Sequence, residues 1–343
     1  MKIVVYGPEK RTGVLRDGQV VDIAGAYAKY LRERKDERNP REVAEAGAPS
    51  DLLRLIEGGQ EALEHTAQAL NHLFGSVEDQ KGARGEQIIF KTGDVKLHAP
   101  RPRGARVACA GGNFADHAGA MAERSAKLGL MPPFTGDHRE YIRKGGIWGF
   151  WKVDRESAGQ DAAVEYPARA KRLDYEGEIA IVLGKEGKDV HAGNIKEYIW
   201  GTTLLGDWSI RMATEGGPLK FAMQKNFDGS CSIGPCICVN EDVDPLAGDV
   251  ETYVNGELRQ KFNTKDMVFT FGEYLEHLSK DFTFYPGDMI ASGTAKGTAA
   301  DSSPLLPDNT PSDEKFLHAG DTVEIKNPVI GTLRTRIVAK RNR

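Results

Sequence analysis

The chain reads as a mainly β, α+β protein, with a large β unit preceded by a small mixed α/β unit. Two observations predict this. From Val107 onward, short apolar runs of strand length recur between strong turn signals and never alternate with helices in βαβ fashion. Helical patterns gather instead in the first hundred residues, with one further amphipathic helix downstream. At 343 residues the chain is long for one domain and comfortable for two. The stretch His98–Arg103 (HAPRPR) carries two prolines and reads as a linker, dividing the chain into residues 1–100 and 101–343.

Taken in order, Val4–Tyr6, Val14–Leu15 and Val20–Ile23 are short strands, with Asp17-Gly18 as a hairpin turn signal between the second and third. Charged helical segments follow, among them Asp51–Glu57 and Gln60–Phe74. In the larger unit, Glu251–Val254, Asn255-Gly256 and Glu257–Phe262 spell a hairpin. Met267, Phe271, Tyr274, Leu275 and Leu278 recur at helical spacing. Pro286-Gly287-Asp288 and Gly320-Asp321 are turns feeding the apolar pairs Met289–Ile290 and Val323/Ile325. Ala295–Lys315, polar and rich in Pro, Ser and Asp, reads as a long loop.

Composition narrows the function. The chain is 40% hydrophobic and 28% charged with a net charge of −4, which offers no polyanion-binding surface and so no nucleic-acid partner. The basic C-terminus (Lys340, Arg341, Arg343) reads as a solvated tail. No apolar run reaches the ~18–20 residues that span a bilayer. The N-terminus, MKIVVYGPEK, reads as a first strand rather than a secretory signal, so a cytoplasmic protein is expected. Cys231, Cys236 and Cys238 lie close together, but without CxxC spacing and among strand-like neighbours; with Cys109 they are read as reduced core residues.

The informative stretch is DYEGEIAIVLG, residues 174–184. Its second half has the composition of a buried strand, yet Asp174, Glu176 and Glu178 precede it at two-residue spacing, which stacks acids on one face. A strand end facing water would explain that much. However, the run Thr202–Leu205 ends in another acid, Asp207. Carboxylates converging without His or Cys are the ligand set of a hard cation, Mg²⁺, Mn²⁺ or Ca²⁺. If the strands meet, such an ion relieves the repulsion among Glu176, Glu178 and Asp207.

These stretches resemble the fumarylacetoacetate hydrolase family, in order and spacing, across roughly Arg103 to Val338. The matching motifs are GGNFADH (111–117), GFWK (149–152), DYEGEIAIVLG (174–184), GTTLLGDWSIR (201–211), KNFDGSCSIGP (225–235), VNGELRQ (254–260), PGDMIASGT (286–294) and HAGDTVEI (318–325). The resemblance implies a twisted β-roll in residues 101–343, a lid over about residues 113–150, and a small N-terminal domain in residues 1–100. It implies a divalent cation, usually Mg²⁺, on Glu176, Glu178 and Asp207, with Asp174 in a supporting role. It also implies a small oxoacid or diketo substrate and a homodimer paired through the β domain. Trp208, beside Asp207, is expected to pack rather than react.

The implied chemistry is C–C cleavage in a β-diketo acid or acylpyruvate. The ion acts as a Lewis acid for the enolate left by bond breakage. His117 is the base that activates water, with Lys152 and Lys225 as further catalytic residues and Asn113, Arg211 and Thr294 as substrate contacts. One position departs from the family pattern. Where many members place a glutamate three residues after the histidine, this chain has Ala120. Glu123 is rotated away on a helix, so the histidine's partner is expected from Glu123, Asp137 or Glu140 of the long lid, or the reaction needs none. The second case favours a lyase on the same scaffold, an oxoacid decarboxylase or a 2-keto-3-deoxy sugar acid dehydratase. A metal-binding protein without activity is the third possibility, and only Ala120 speaks for it.

Overall fold

The computed structural model describes residues 1–75, 80–213, 220–239, 244–245, 248–307 and 310–340; Arg341 and Arg343 of the basic tail lie outside them. The chain opens with strands β1 (Lys2–Tyr6), β2 (Arg11–Arg16) and β3 (Gln19–Asp22). Helices α1 (Ile23–Lys35), α2 (Pro40–Gly47), α3 (Leu52–Glu57) and α4 (Gly59–Gly75) follow. Asp22 and Asp51 cap α1 and α3 by accepting from the Gly25 and Arg54 N–H groups. Short strands β4 (Ile89–Lys91) and β5 (Leu97–His98) lead to β6 (Val107–Ala110).

The lid region holds two helices, α5 (Ala115–Lys127) and α6 (His138–Gly145), before β7 (Gly149–Lys152). Then come β8 (Ala162–Glu165), β9 (Ala170–Asp174), β10 (Gly177–Leu183), β11 (Ile199–Asp207), β12 (Ser209–Ala213) and the four-residue helix α7 (Phe221–Gln224). The last third carries β13 (Cys231–Val239), β14 (Asp249–Val254), β15 (Glu257–Asn263), α8 (Phe271–Leu278) and β16 (Met289–Ala291). Helix α9 (Ala299–Ser302), β17 (Thr322–Asn327) and β18 (Gly331–Val338) complete it.

The expected architecture is present, mixed α and β with most of the chain in sheets. An eleven-stranded sheet runs β4-β3-β2-β1-β13-β11-β10-β16-β6-β7, with β5 also on β1, and a five-stranded sheet runs β15-β14-β17-β18-β8. The long sheet does not stop at residue 100, because β1 hydrogen-bonds antiparallel to β13. Its two faces follow from the alternation of strand side chains. Ile179, Ile181 and Leu183 face a core shared with Val250, Ile325 and Leu333 of the smaller sheet. Ala180 and Val182 face a second core built largely from α1, α3 and α4. The 255–256 hairpin is as expected, with both turn residues at positive φ. All four cysteines are free and buried.

Two segments differ from the sequence reading. The region 295–315 is not loop throughout, because α9 forms inside it. A helix of four residues leaves no periodicity to read, and this one is held by distant partners described below. The amphipathic run 267–278 becomes helix only from Phe271. Thr270 caps it with Glu273 in a reciprocal capping box, which leaves Met267 in the approach.

Candidate active site

Strand register brings the acids together. Gly177 pairs with Gly206 and Glu178 with Leu205, and one rung further the Asp207 N–H donates to the Glu176 carbonyl at 2.9 Å. Glu178 lies opposite Leu205, and Asp207 falls two residues on, so all three acids share one face. One carboxylate oxygen from each of Glu176, Glu178 and Asp207 lies within 4.8 Å of the others, and all three residues are buried.

The cations predicted near substrate are engaged by these acids instead. Lys225 Nζ bridges Glu176 at 2.6 Å and Asp207 at 2.7 Å. Lys152 pairs with the other oxygen of Asp207 and donates to the carbonyls of Lys225 and Ser230 at 2.6 and 3.0 Å. Burial opposes the Lys152 charge, but Asp207 more than restores it and holds the ammonium above its ordinary range. Arg211 donates to Asp174 at 2.8 Å and to Glu176. Burial works against the Glu176 charge as well, yet Lys225 and Arg211 hold that carboxyl well below the usual carboxylate range.

Glu178 is the exception. Among the described residues it has no ion pair, only the Gly293 N–H at 2.9 Å. Gly293 sits at φ +76, and a Cβ there would stand 3.0 Å from the Ala110 carbonyl, so glycine is what lets this amide reach the acid. Burial, then Asp207 and Glu176, push the Glu178 carboxyl well up. Around Asp174 the cluster sets four carboxylates against three cations. An all-oxygen donor set with one buried acid uncompensated fits a hard divalent cation.

His117 begins the first lid helix, and its Nδ1 lies 2.7 Å from Asp301 Oδ2. Asp301 is therefore the acid opposite the histidine, and the expectation of Glu123, Asp137 or Glu140 is corrected. Asp137 instead caps α6. Asp301 is fixed in turn: its side chain accepts from the Gly297 N–H at 3.0 Å, and its own N–H meets Thr298 Oγ1 at 3.3 Å. Asp174 holds the same short helix, accepting from Ala299 and Ala300 N–H at 2.7 and 3.1 Å while it binds Arg211. A continuous polar chain thus runs from Glu176 through Arg211, Asp174 and α9 to His117. Asp301 carries one sequence signal, the spacing Thr298-x-x-Asp301 of a helix start.

Two residues expected at the substrate are engaged by the protein itself in this structure. Asn113 is wholly buried; both amide hydrogens go to the Phe269 and Ser292 carbonyls, and its oxygen accepts from the Phe269 N–H. It clips three segments together and has no hydrogen left for a ligand. Thr294 donates its hydroxyl hydrogen to the Gly177 carbonyl at 3.0 Å and accepts from Gln260. Its one hydroxyl hydrogen is thus taken by a backbone carbonyl. Trp208 packs, as expected, with its indole N–H on Ser232 at 2.8 Å.

Comparison with known proteins identifies the family. The sequence model for the fumarylacetoacetate (FAA) hydrolase C-terminal domain matches residues 106–338. Among characterised relatives, the oxaloacetate tautomerase YisK of Bacillus subtilis is 30% identical over 291 residues, which cover 84% of this chain and 87% of that protein. Among solved structures, the fumarylacetoacetate hydrolase of psychrophilic Exiguobacterium antarcticum is 25% identical. It matches with a TM-score of 0.67 over 99% of this chain and 100% of its own. A maleylpyruvate hydrolase of Sphingobium sp. SYK-6, whose crystals hold manganese(II) and pyruvate, shares the fold at a TM-score of 0.66 and 21% identity, over 99% of this chain and 100% of that one. On the extent of the family match and of the similarity to YisK, this chain belongs to the fumarylacetoacetate hydrolase family.

Proposed function

We propose that the protein is a divalent-metal-dependent enzyme of the acylpyruvate type, hydrolysing the C–C bond of a β-diketo acid. The observation that carries this reading is the His117–Asp301 pair, joined to the acid cluster through α9, Asp174 and Arg211. The Asp301 carboxylate accepts the Nδ1 proton, which leaves Nε2 as a base. The donor set of Glu176, Glu178 and Asp207 would hold Mg²⁺ or Mn²⁺, with Ca²⁺ also compatible, and the ion would polarise the oxo groups as a Lewis acid.

The residues of this chain do the rest. Lys225 favours the ionised form of Glu176, and Lys225 and Lys152 together hold the Asp207 oxygens in place. Nε2 of His117 takes a proton from water on the attacked side, and Asp301 fixes the ring and stabilises the imidazolium that results. Ala120 therefore does not remove the dyad, because its acid comes from α9.

A second reading is supported by the similarity to a protein named an oxaloacetate tautomerase. The same base would then take a proton from the carbon beside the 2-oxo group while the oxygen gains one, with no C–C bond broken. Product analysis by NMR in ¹⁸O water and in ²H₂O separates the two, with acylpyruvates, oxaloacetate and 2-keto-3-deoxy sugar acids tested with Mg²⁺ or Mn²⁺ and again with chelator. Metal-dependent formation of two acids, one labelled with ¹⁸O, is the expected result. Deuterium exchange beside the oxo group without cleavage identifies a tautomerase. Loss of CO₂ or of water without label makes the enzyme a lyase.

A further inference from the structure

Asp174 is wholly buried and lies outside the proposed ligand set, yet each of its oxygens accepts from two donors. Oδ1 takes the Tyr175 N–H at 2.9 Å and the Ala299 N–H at 2.7 Å, and Oδ2 takes Arg211 Nε at 2.8 Å and the Ala300 N–H at 3.1 Å. Ala299 and Ala300 open α9, so theirs are amides that a helix leaves without internal partners. The next amide, that of Asp301, is taken by Thr298 Oγ1 at 3.3 Å. Tyr175 fastens the approach to the same helix, its hydroxyl donating to the Gly297 carbonyl at 2.9 Å. Four residues form too few internal bonds to fix a helix by themselves. The place of α9 is therefore set from outside, by the end of β9 and the residue after it.

We propose that Asp174 is a positioning residue: through α9 it sets where the Asp301 carboxylate meets His117, and through Arg211 it ties that placement to Glu176. This rests on the reading above, in which His117 is the base. Asp301 directly follows the two alanines whose amides Asp174 holds, so a shift of those amides carries the aspartate with it. Asp301 Oδ2 stands 2.7 Å from His117 Nδ1, and a displacement of about 1 Å takes that contact out of hydrogen-bond range. The imidazole is then free to place its proton on either nitrogen, and Nε2 is no longer reserved as the base. An acid that served only the stability of the fold would behave differently. Its loss would lower Tm without changing the His117 tautomer, and its kinetic effect would multiply with that of removing Asp301.

The test uses Asp174→Asn, which keeps the shape of the side chain but replaces one acceptor oxygen by an NH₂ donor facing other donors. In metal-free protein labelled with ¹⁵N-histidine, with His117→Gln to assign the signal, wild type at about pH 8 should carry the His117 proton on Nδ1. Asp174→Asn should give a mixture of tautomers, as Asp301→Asn does. With acetylpyruvate and Mg²⁺, Asp174→Asn should lose about 10- to 100-fold in kcat with KM within about three-fold. The double variant Asp174→Asn/Asp301→Asn should be no slower than Asp301→Asn alone, to within about three-fold. A tautomer unchanged in Asp174→Asn overturns the proposal, and so does a double variant in which the two losses multiply. If Asp174→Asn does not fold, Arg211→Lys decides. One ammonium cannot span Asp174 and Glu176 as the guanidinium does, so a smaller change of the same kind is expected, and its absence overturns the proposal. If acetylpyruvate is not cleaved while the tautomer still responds to Asp174→Asn, the hydrolase reading fails and the positioning role stands.

Discussion

At the scale of single residues, the site depends on how buried charges are matched. Asp301 does not contact the proposed metal ligands, yet on the proposed mechanism it decides whether His117 is a base. Asp301→Asn should retain the fold but lower kcat by on the order of 10²–10³, since an amide neither selects the tautomer nor stabilises an imidazolium. Steady-state kinetics beside a far-ultraviolet melt checks this, and an unchanged kcat would remove the dyad from the mechanism. Glu178 makes the complementary prediction. Among the described residues its carboxylate has no ion pair, so Glu178→Gln should leave the metal-free protein at least as stable as wild type while abolishing the rise in Tm with Mg²⁺ or Mn²⁺. For wild type, an ion at a hundred times its Kd adds about 2.7 kcal/mol. A metal-dependent Tm that survives the substitution would exclude Glu178 as a ligand.

At the scale of elements, α6 fastens one side of the lid. Arg143 of α6 donates to Glu273 at 2.8 Å and lies 4.9 Å from the Phe269 ring, while Arg139 donates to the Met267 carbonyl at 2.8 Å. The two lid helices meet where Gly119 faces the His138 ring, and a Cβ at Gly119 would stand 2.8 Å from that ring. Glu273 also closes the capping box of α8. Burial raises its pKa, but Arg143 and the Thr270 bonds outweigh it, so the folded value lies below the ordinary one. Its contribution is therefore fully present above the unfolded pKa of about 4.3 and lost as pH falls through the lower folded value. Glu273→Gln should cost ~0.5–1 kcal/mol at neutral pH, a figure kept small because the pair is partly exposed. Urea melts at pH 7 and pH 3 test it, and a difference that persists at pH 3 would assign the effect to something other than charge.

At the scale of the whole molecule, the N-terminal hundred residues share the sheet that carries the acids. β1 covers the edge of β13, and α1, α3 and α4 cover the face that includes Ala180, Val182 and Leu205. The division at residue 100 is thus a proposal about sequence organisation, and a fragment of residues 101–343 should aggregate or fail to fold. Recovery of that fragment as a soluble species with a cooperative melt would establish an independent domain. We also propose that two copies pair through the β domain; light scattering at micromolar concentration should give twice the mass of the chain, and a monomer mass would reject the pairing. Among the described residues no helix is long and apolar enough to cross a membrane.

The sequence by itself determined the class of fold, most strands and turns, and the acid set, since alternation, turn residues and paired carboxylates at two-residue spacing are local patterns. DYEGE and the Asp207 strand end were legible because each motif carries its own geometry. What those residues face was decided only by tertiary structure. Lys225, Lys152 and Arg211 pair with Asp174, Glu176 and Asp207 but not with Glu178; Asn113 and Thr294 use their hydrogens on backbone carbonyls; and Asp301 reaches His117 across 184 residues of chain. Such pairings are set by long-range register and packing, which leave no periodicity behind. A buried polar group takes whatever partner the fold brings near it, and that partner is unknown until the strands have met.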